Sequence, residues 1–181
     1  MKKQGKSVLF LAQAGVIAAI YLVLTFLSNA LGIGSMAIQC RLSELLTILP
    51  VFTPAAVPGL AVGCFLGNLT TSPLGPIDWF AGTAATLLAA LTGRALRRVR
   101  LKGLPVLSSL MPVVFNAVIV GFELACLSAA NTFSLANFVW PVFFLNIGTV
   151  GLGELIVCTG GGLILFAILE RKHAAKRLFS L

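Results

Sequence analysis

The stretch 42-LSELLTILPVFTPAAVPGLAVGCFLGNLTT-71 decides how this chain folds. As one straight helix it would reach ~45 Å, well beyond a hydrocarbon core of ~30 Å. Pro50, Pro54 and Pro58 recur at four-residue spacing, and an interior proline removes a hydrogen bond and clashes with the preceding turn. The stretch therefore reads as two short helices, 42–56 and 58–71, each only ~21 Å long. Segments this short and interrupted are tolerated where protein or a water-filled cavity surrounds them, and in transporters they mark binding regions. A re-entrant or merely kinked structural pair is the alternative.

Outward from that stretch, apolar spans fall at 8–31, 77–96, 106–130 and 139–169. Charge placement fixes the count. Twelve of the thirteen basic residues form three clusters: Lys2, Lys3 and Lys6; Arg94, Arg97, Arg98, Arg100 and Lys102; Arg171, Lys172, Lys176 and Arg177. Each abuts an apolar run, as basic residues do in cytoplasmic loops. With five spans the middle cluster would lie outside the cell. With six, all three clusters face the cytoplasm. The expectation is an all-α integral membrane protein, a single six-helix membrane domain over 1–181 with both termini cytoplasmic.

Composition agrees. The 181 residues are 59% hydrophobic and 10% charged, with mean hydropathy +1.05, whereas a soluble domain carries about a quarter charged residues. No segment is long and polar enough for a soluble domain, so any ATPase must come from another chain. The net charge of +8 reads as topology, not as a nucleic-acid surface. Cys40, Cys64, Cys126 and Cys158 are scattered singly and read as small hydrophobes. The sole histidine, His173, lies in the basic tail, so a histidine-built metal site is excluded and no metal is expected.

Four of the five acidic residues, Glu44, Asp78, Glu123 and Glu154, lie in or beside the spans together with Arg41. A charge at bilayer depth costs at least ~3 kcal/mol and marks a pathway or ligand site. Six spans place all five in the outer half of the membrane, as a mostly acidic pocket. Arg41 and Glu44, three apart, share a helix face and either neutralise each other or enter the site. Asn116 and Glu123, seven apart, form a polar stripe that binds ligand or glues helices. Asp78 follows Pro76 and reads as an N-cap. Glu154 has no basic neighbour in sequence and reads as a ligand residue. Phe133, Phe138, Trp140 and Phe143 form an interfacial belt or a stacking platform for a flat heterocycle. The run Gly160–Gly162 lacks a following Lys-Ser/Thr and reads as packing glycine, not a phosphate loop. Ala14 and Ala18, with Gly15 and Ala19, suit close packing against another helix, in this chain or in a partner.

Three motifs in order, QCRLSELLTILPVFTPAAVPGLAVGCFLGNL (39–69), NAVIVGFEL (116–124) and GLGELIVCTGGG (151–162), resemble the queuosine-precursor transporter (QueT-type) family. Its members are similar to substrate-binding S components of energy-coupling factor (ECF) importers. The resemblance implies a six-helix S-component bundle in a bacterial plasma membrane and a 7-deazaguanine substrate taken up from outside. It implies a transmembrane coupling subunit, contacted through Ala14 and Ala18, and two cytoplasmic ATPases that use the ATP. This chain would hold no cofactor and be no enzyme. The substrate-site candidates are Glu123 and Glu154 for the two polar ends of the ligand, Asn116 and Asn146 for orientation, Trp140 for stacking, and Arg41 and Glu44. The rival readings are an S component for another vitamin or nucleobase, and a self-sufficient proton-coupled transporter.

Overall fold

The computed structural model describes residues 2–33, 40–127, 132–171 and 178–179, and every structural statement below refers to these. Six of the eight residues of the loop 32–39 lie outside them, as do His173 and the basic residues 172, 176 and 177. The fold is helical, with two isolated bridges and no longer strand pairing. Its helices are α1 (Lys2–Ala30), α2 (Ala56–Thr71), α3 (Pro76–Ala95), α4 (Val106–Ala125), α5 (Trp140–Glu154) and α6 (Gly162–Arg171). Two irregular helices complete it: a 3-10 helix, Leu42–Val51, and a π segment, Leu155–Gly161, that joins α5 to α6.

Three stretches are long and apolar enough to cross a membrane: Gly5–Ala30, Val106–Ala125 and the continuous Trp140–Arg171. With the two short apolar helices and α3, the count of six expected from charge parity fits.

The deciding stretch does break at its prolines, but its first half is not an α-helix. It is a ten-residue 3-10 helix, where runs beyond three or four residues are uncommon. Position explains it. The helix is buried on nearly every side, and it packs against α1, α2, α3, α4, the π segment and α6. Irregular backbone at this depth survives only when protein surrounds it. At its Val51 end the Pro50 carbonyl accepts a 2.7 Å bond from the Arg94 guanidinium. Nearby, Phe52 stacks on Phe166 with centroids 5.0 Å apart, and Arg100 stands 4.6 Å over the Phe166 ring.

Consecutive helices pack on one another from α1 through α5, around this central rod. α1 and α2 approach each other closely. A methyl group at Gly59 would stand 2.7 Å from the Ala14 carbonyl oxygen, and one at Gly63 2.8 Å from Tyr21 Cβ. Ala14 and Ala18 are thus buried within the chain, while Gly15 and Ala19 face outward. The glycine run packs as expected: a methyl at Gly161 would meet Leu45 of the 3-10 helix at 2.8 Å.

Candidate functional site

All five charges singled out in the sequence lie within electrostatic reach of one another through Arg41. Arg41 ends the 3-10 helix as its N-cap residue and reaches across to α2, where Nη2 donates to Asn68 Oδ1 at 2.5 Å. The Asn68 amide in turn donates to the Asp78 carbonyl at 3.1 Å. Gly82 makes room for that amide, since a methyl there would lie 2.5 Å from it. Asp78 is not the N-cap of α3. Gly75 holds that position, with φ 75° and no side-chain cap, and Asp78 sits buried in the first turn. A carboxylate there still complements the positive end of the helix dipole. A cleft of about 70 Å³ opens between Arg41, Asp78, Asn29 and Ser72 on one side and Val120 and Leu124 of α4 on the other.

Glu44, one turn into the 3-10 helix, accepts a hydrogen bond from the hydroxyl of Tyr21 on α1. Arg41 and Glu44, read from spacing either as an ion pair or as site residues, have their hydrogen bonds elsewhere: Arg41 with Asn68, Glu44 with Tyr21. Tyr21 is the chain's sole tyrosine and 1% exposed.

Glu154 is the last residue of α5, where the helix widens into the π segment. π turns inside α-helices recur at functional sites. Here the turn carries Cys158, whose thiol donates to Glu154 Oε2 at 2.9 Å and approaches the Glu44 carbonyl at 3.4 Å. Cys158 therefore does more than fill space, and so does Cys64, which accepts from Thr86 at 3.3 Å. All four cysteines are free. Glu44, Glu154 and Cys158 converge so that one candidate ligand atom from each lies within 4.8 Å of the others.

On α4, buried Ser109, Asn116 and Glu123 repeat every seven residues and so share one face. Asn116 lies beside Glu154. Glu123 is 2% exposed, and neither of its carboxylate oxygens has a partner; Asn116 Nδ2 and Glu44 Oε2 are also unpartnered. Buried polar groups are normally bonded, and each exception calls for a reason. Arg41 is the shared countercharge, acting electrostatically on Glu44, Asp78, Glu123 and Glu154.

The remaining candidates lie further out. Asn146 is half-buried on α5, where its backbone passes Gly121 of α4. Trp140 is 62% exposed at the start of α5, edge-on to Phe138 at 5.0 Å and stacked on Phe144 at 6.0 Å. It belongs to an aromatic patch with Phe122 and Phe143. Sequence reasoning missed Tyr21, Asn68 and Cys158. A lone tyrosine and a lone asparagine within apolar helices were available signals, and Cys158 lies four residues after Glu154, the spacing of neighbours on a helix face.

A family model described as QueT transporter matches residues 11–171, nearly the whole chain. No curated protein and no solved structure matches it.

Proposed function

The chain belongs to the QueT transporter family, and from that premise we propose that this multi-pass membrane protein captures a 7-deazaguanine precursor of queuosine. On this reading it is the substrate-binding subunit of an ECF-type importer in a bacterial plasma membrane. A transmembrane coupling subunit and two ATPases would supply the energy. The coupling subunit would pack along α1, and the outward Gly15 and Ala19 offer it close approach, since Ala14 and Ala18 are occupied by α2.

The observation that carries the ligand reading is Glu123, a carboxylate 2% exposed with both oxygens unpartnered. The edge of a guanine-type base offers two adjacent N–H donors, and one carboxylate accepts both in parallel. Such charge-assisted bonds contribute about 1.5–3 kcal/mol each. Asn116, on the same face of α4, would orient the heterocycle; Asn146 and the aromatic patch around Trp140 would border its entry. Glu154 and Glu44 take the opposite end.

The test is a thermal-stability screen of the purified chain across purines, 7-deazaguanines and vitamins. A ligand specific to the folded state raises stability by RT ln(1 + [L]/Kd), about 2.7 kcal/mol at a hundredfold excess over Kd. A shift with 7-deazaguanines and not with guanine or vitamins supports the reading. A shift with some other vitamin alone overturns it.

A further inference from the structure

The basic connection between α3 and α4 returns to the bundle through a tight two-residue turn. Leu101 and Leu104 exchange backbone hydrogen bonds of 2.9 and 3.0 Å, and between them Lys102 and Gly103 have φ of 50° and 84°. A turn with two positive φ values favours asparagine or glycine at its first position. Lysine there is strained, and such strain persists where the residue is put to use. The turn sets Lys102 on one wall of an open cavity of about 360 Å³. Leu104 continues that wall, and the end of α6, with Ala167, Glu170 and Arg171, forms the other.

The cavity lies where two spans end. Arg171 closes the apolar stretch Trp140–Arg171, and Val106, two residues beyond Leu104, opens the stretch Val106–Ala125. Exposed apolar side chains continue from it along both helices, Leu107 on α4 and Ile164 and Ile168 on α6. Its charges are of both signs. Among the described residues none of Lys102, Glu170 and Arg171 is ion-paired, although all three line the same space. Arg171 suits the last turn of α6, the negative end of the helix dipole, but Glu170 does not. Two cations and one carboxylate around a single opening complement a group that carries both a phosphate and an ammonium.

We propose that this cavity binds the headgroup of a phosphoethanolamine lipid from the surrounding bilayer. Pockets of basic residues between membrane helices suit lipid headgroups. Arg171 offers the phosphate a planar fork of donors, and Lys102 a compact point charge. Glu170 accepts from the primary ammonium of the lipid, which has three N–H donors. The acyl chains run along Leu107 and Ile164. A phosphocholine lipid brings the same phosphate but no N–H for Glu170. A phosphoglycerol lipid brings no positive charge at all. No residue of this site belongs to the one built around Glu123, so the two readings stand or fall separately.

The experiment uses the purified full chain in detergent, with phosphatidylethanolamine, phosphatidylcholine and phosphatidylglycerol of identical acyl chains. Native mass spectrometry counts the lipids retained, and thermal melts rank their affinities. Wild type retains one phosphatidylethanolamine and binds it roughly 10-fold more tightly than either other lipid, the scale of one charge-assisted bond. Glu170→Gln removes the preference for ethanolamine over choline. Arg171→Gln weakens both of these lipids by roughly 10-fold, as does Lys102→Asn. Asparagine accepts the positive φ of that turn, so the lipid-free melting temperature of Lys102→Asn does not fall. Equal binding of the ethanolamine and choline lipids by wild type overturns the inference, as does a preference that survives all three substitutions. Tighter binding of phosphatidylglycerol overturns it in favour of a merely anionic lipid. No lipid-specific shift overturns it too, and leaves the cavity to an acidic segment of a partner protein.

Discussion

On α4, Glu123 is 2% exposed with both carboxylate oxygens unpartnered, whereas Glu44, equally buried on the 3-10 helix, has one oxygen held by Tyr21. The first is presented by a regular helix and has no protein partner. The second is wired into its surroundings, through Tyr21 on one side and the Glu154–Cys158 pair on the other. Burial alone thus does not identify a ligand group; what separates the two is how much of each carboxylate the protein itself satisfies. An unsatisfied buried carboxylate is a standing cost, relieved when something else binds.

The sharpest test of that contrast is Glu123→Gln. It removes the charge but adds no volume, so ligand affinity falls by about 100-fold, as for loss of a charge-assisted pair, while the unliganded melting temperature does not fall. Titration calorimetry and a thermal melt on the same sample check both halves, and a melting temperature that drops without loss of affinity would make Glu123 a structural residue. Tyr21→Phe probes the other side. It strips Glu44 of its hydroxyl and leaves a second buried carboxylate unpartnered, at a cost of about 1–3 kcal/mol in stability, read as a lowered melting temperature without ligand.

Gly63→Ala attacks the support behind Tyr21. Its methyl would stand 2.8 Å from Tyr21 Cβ, so α1 or the tyrosine must shift, at about 1–2 kcal/mol. If the wired carboxylate depends on that seat, ligand binding weakens in parallel with stability; a variant that loses stability alone would separate the packing from the site. The smallest effect is expected at the far end of the bundle. Arg100→Ala removes the guanidinium over Phe166, worth about 0.5–1 kcal/mol, and leaves ligand affinity at its wild-type value.

The same two carboxylates show what was legible in the sequence. The stripe that carries Asn116 and Glu123 follows from the α-helical repeat, so its shared face could be read from spacing alone. The break at Pro54, read between 56 and 58 and found at 52–55, and the close packing of Gly161 were equally local in origin. The Glu44 surroundings were not. A 3.6-residue period paired Glu44 with Arg41, but the helix there turns every three residues and sits where α1 and α2 supply the partners. Asp78 was read as a cap because Pro76 marks a helix start, yet Gly75 supplies the cap position and the acid falls within the first turn. Cys158, four residues after Glu154, was within reach of the helical repeat, but its approach to the Glu44 carbonyl across the bundle was not. Contacts made across the bundle by non-α helices leave no period to count.

The ten-residue 3-10 helix also sets which length changes the chain can absorb. At three residues per turn each residue advances 120°, so Glu44, Thr47 and Pro50 lie along one line, from the charged end to the carbonyl held by Arg94. Inserting or deleting a single residue within 45–49 would swing Glu44 a third of a turn relative to that anchored carbonyl and take it away from Tyr21. Only steps of three preserve the facing, where an α-helix would accept three or four. Homologous chains that keep this rod should therefore vary in length between Glu44 and Pro50 by triplets or not at all.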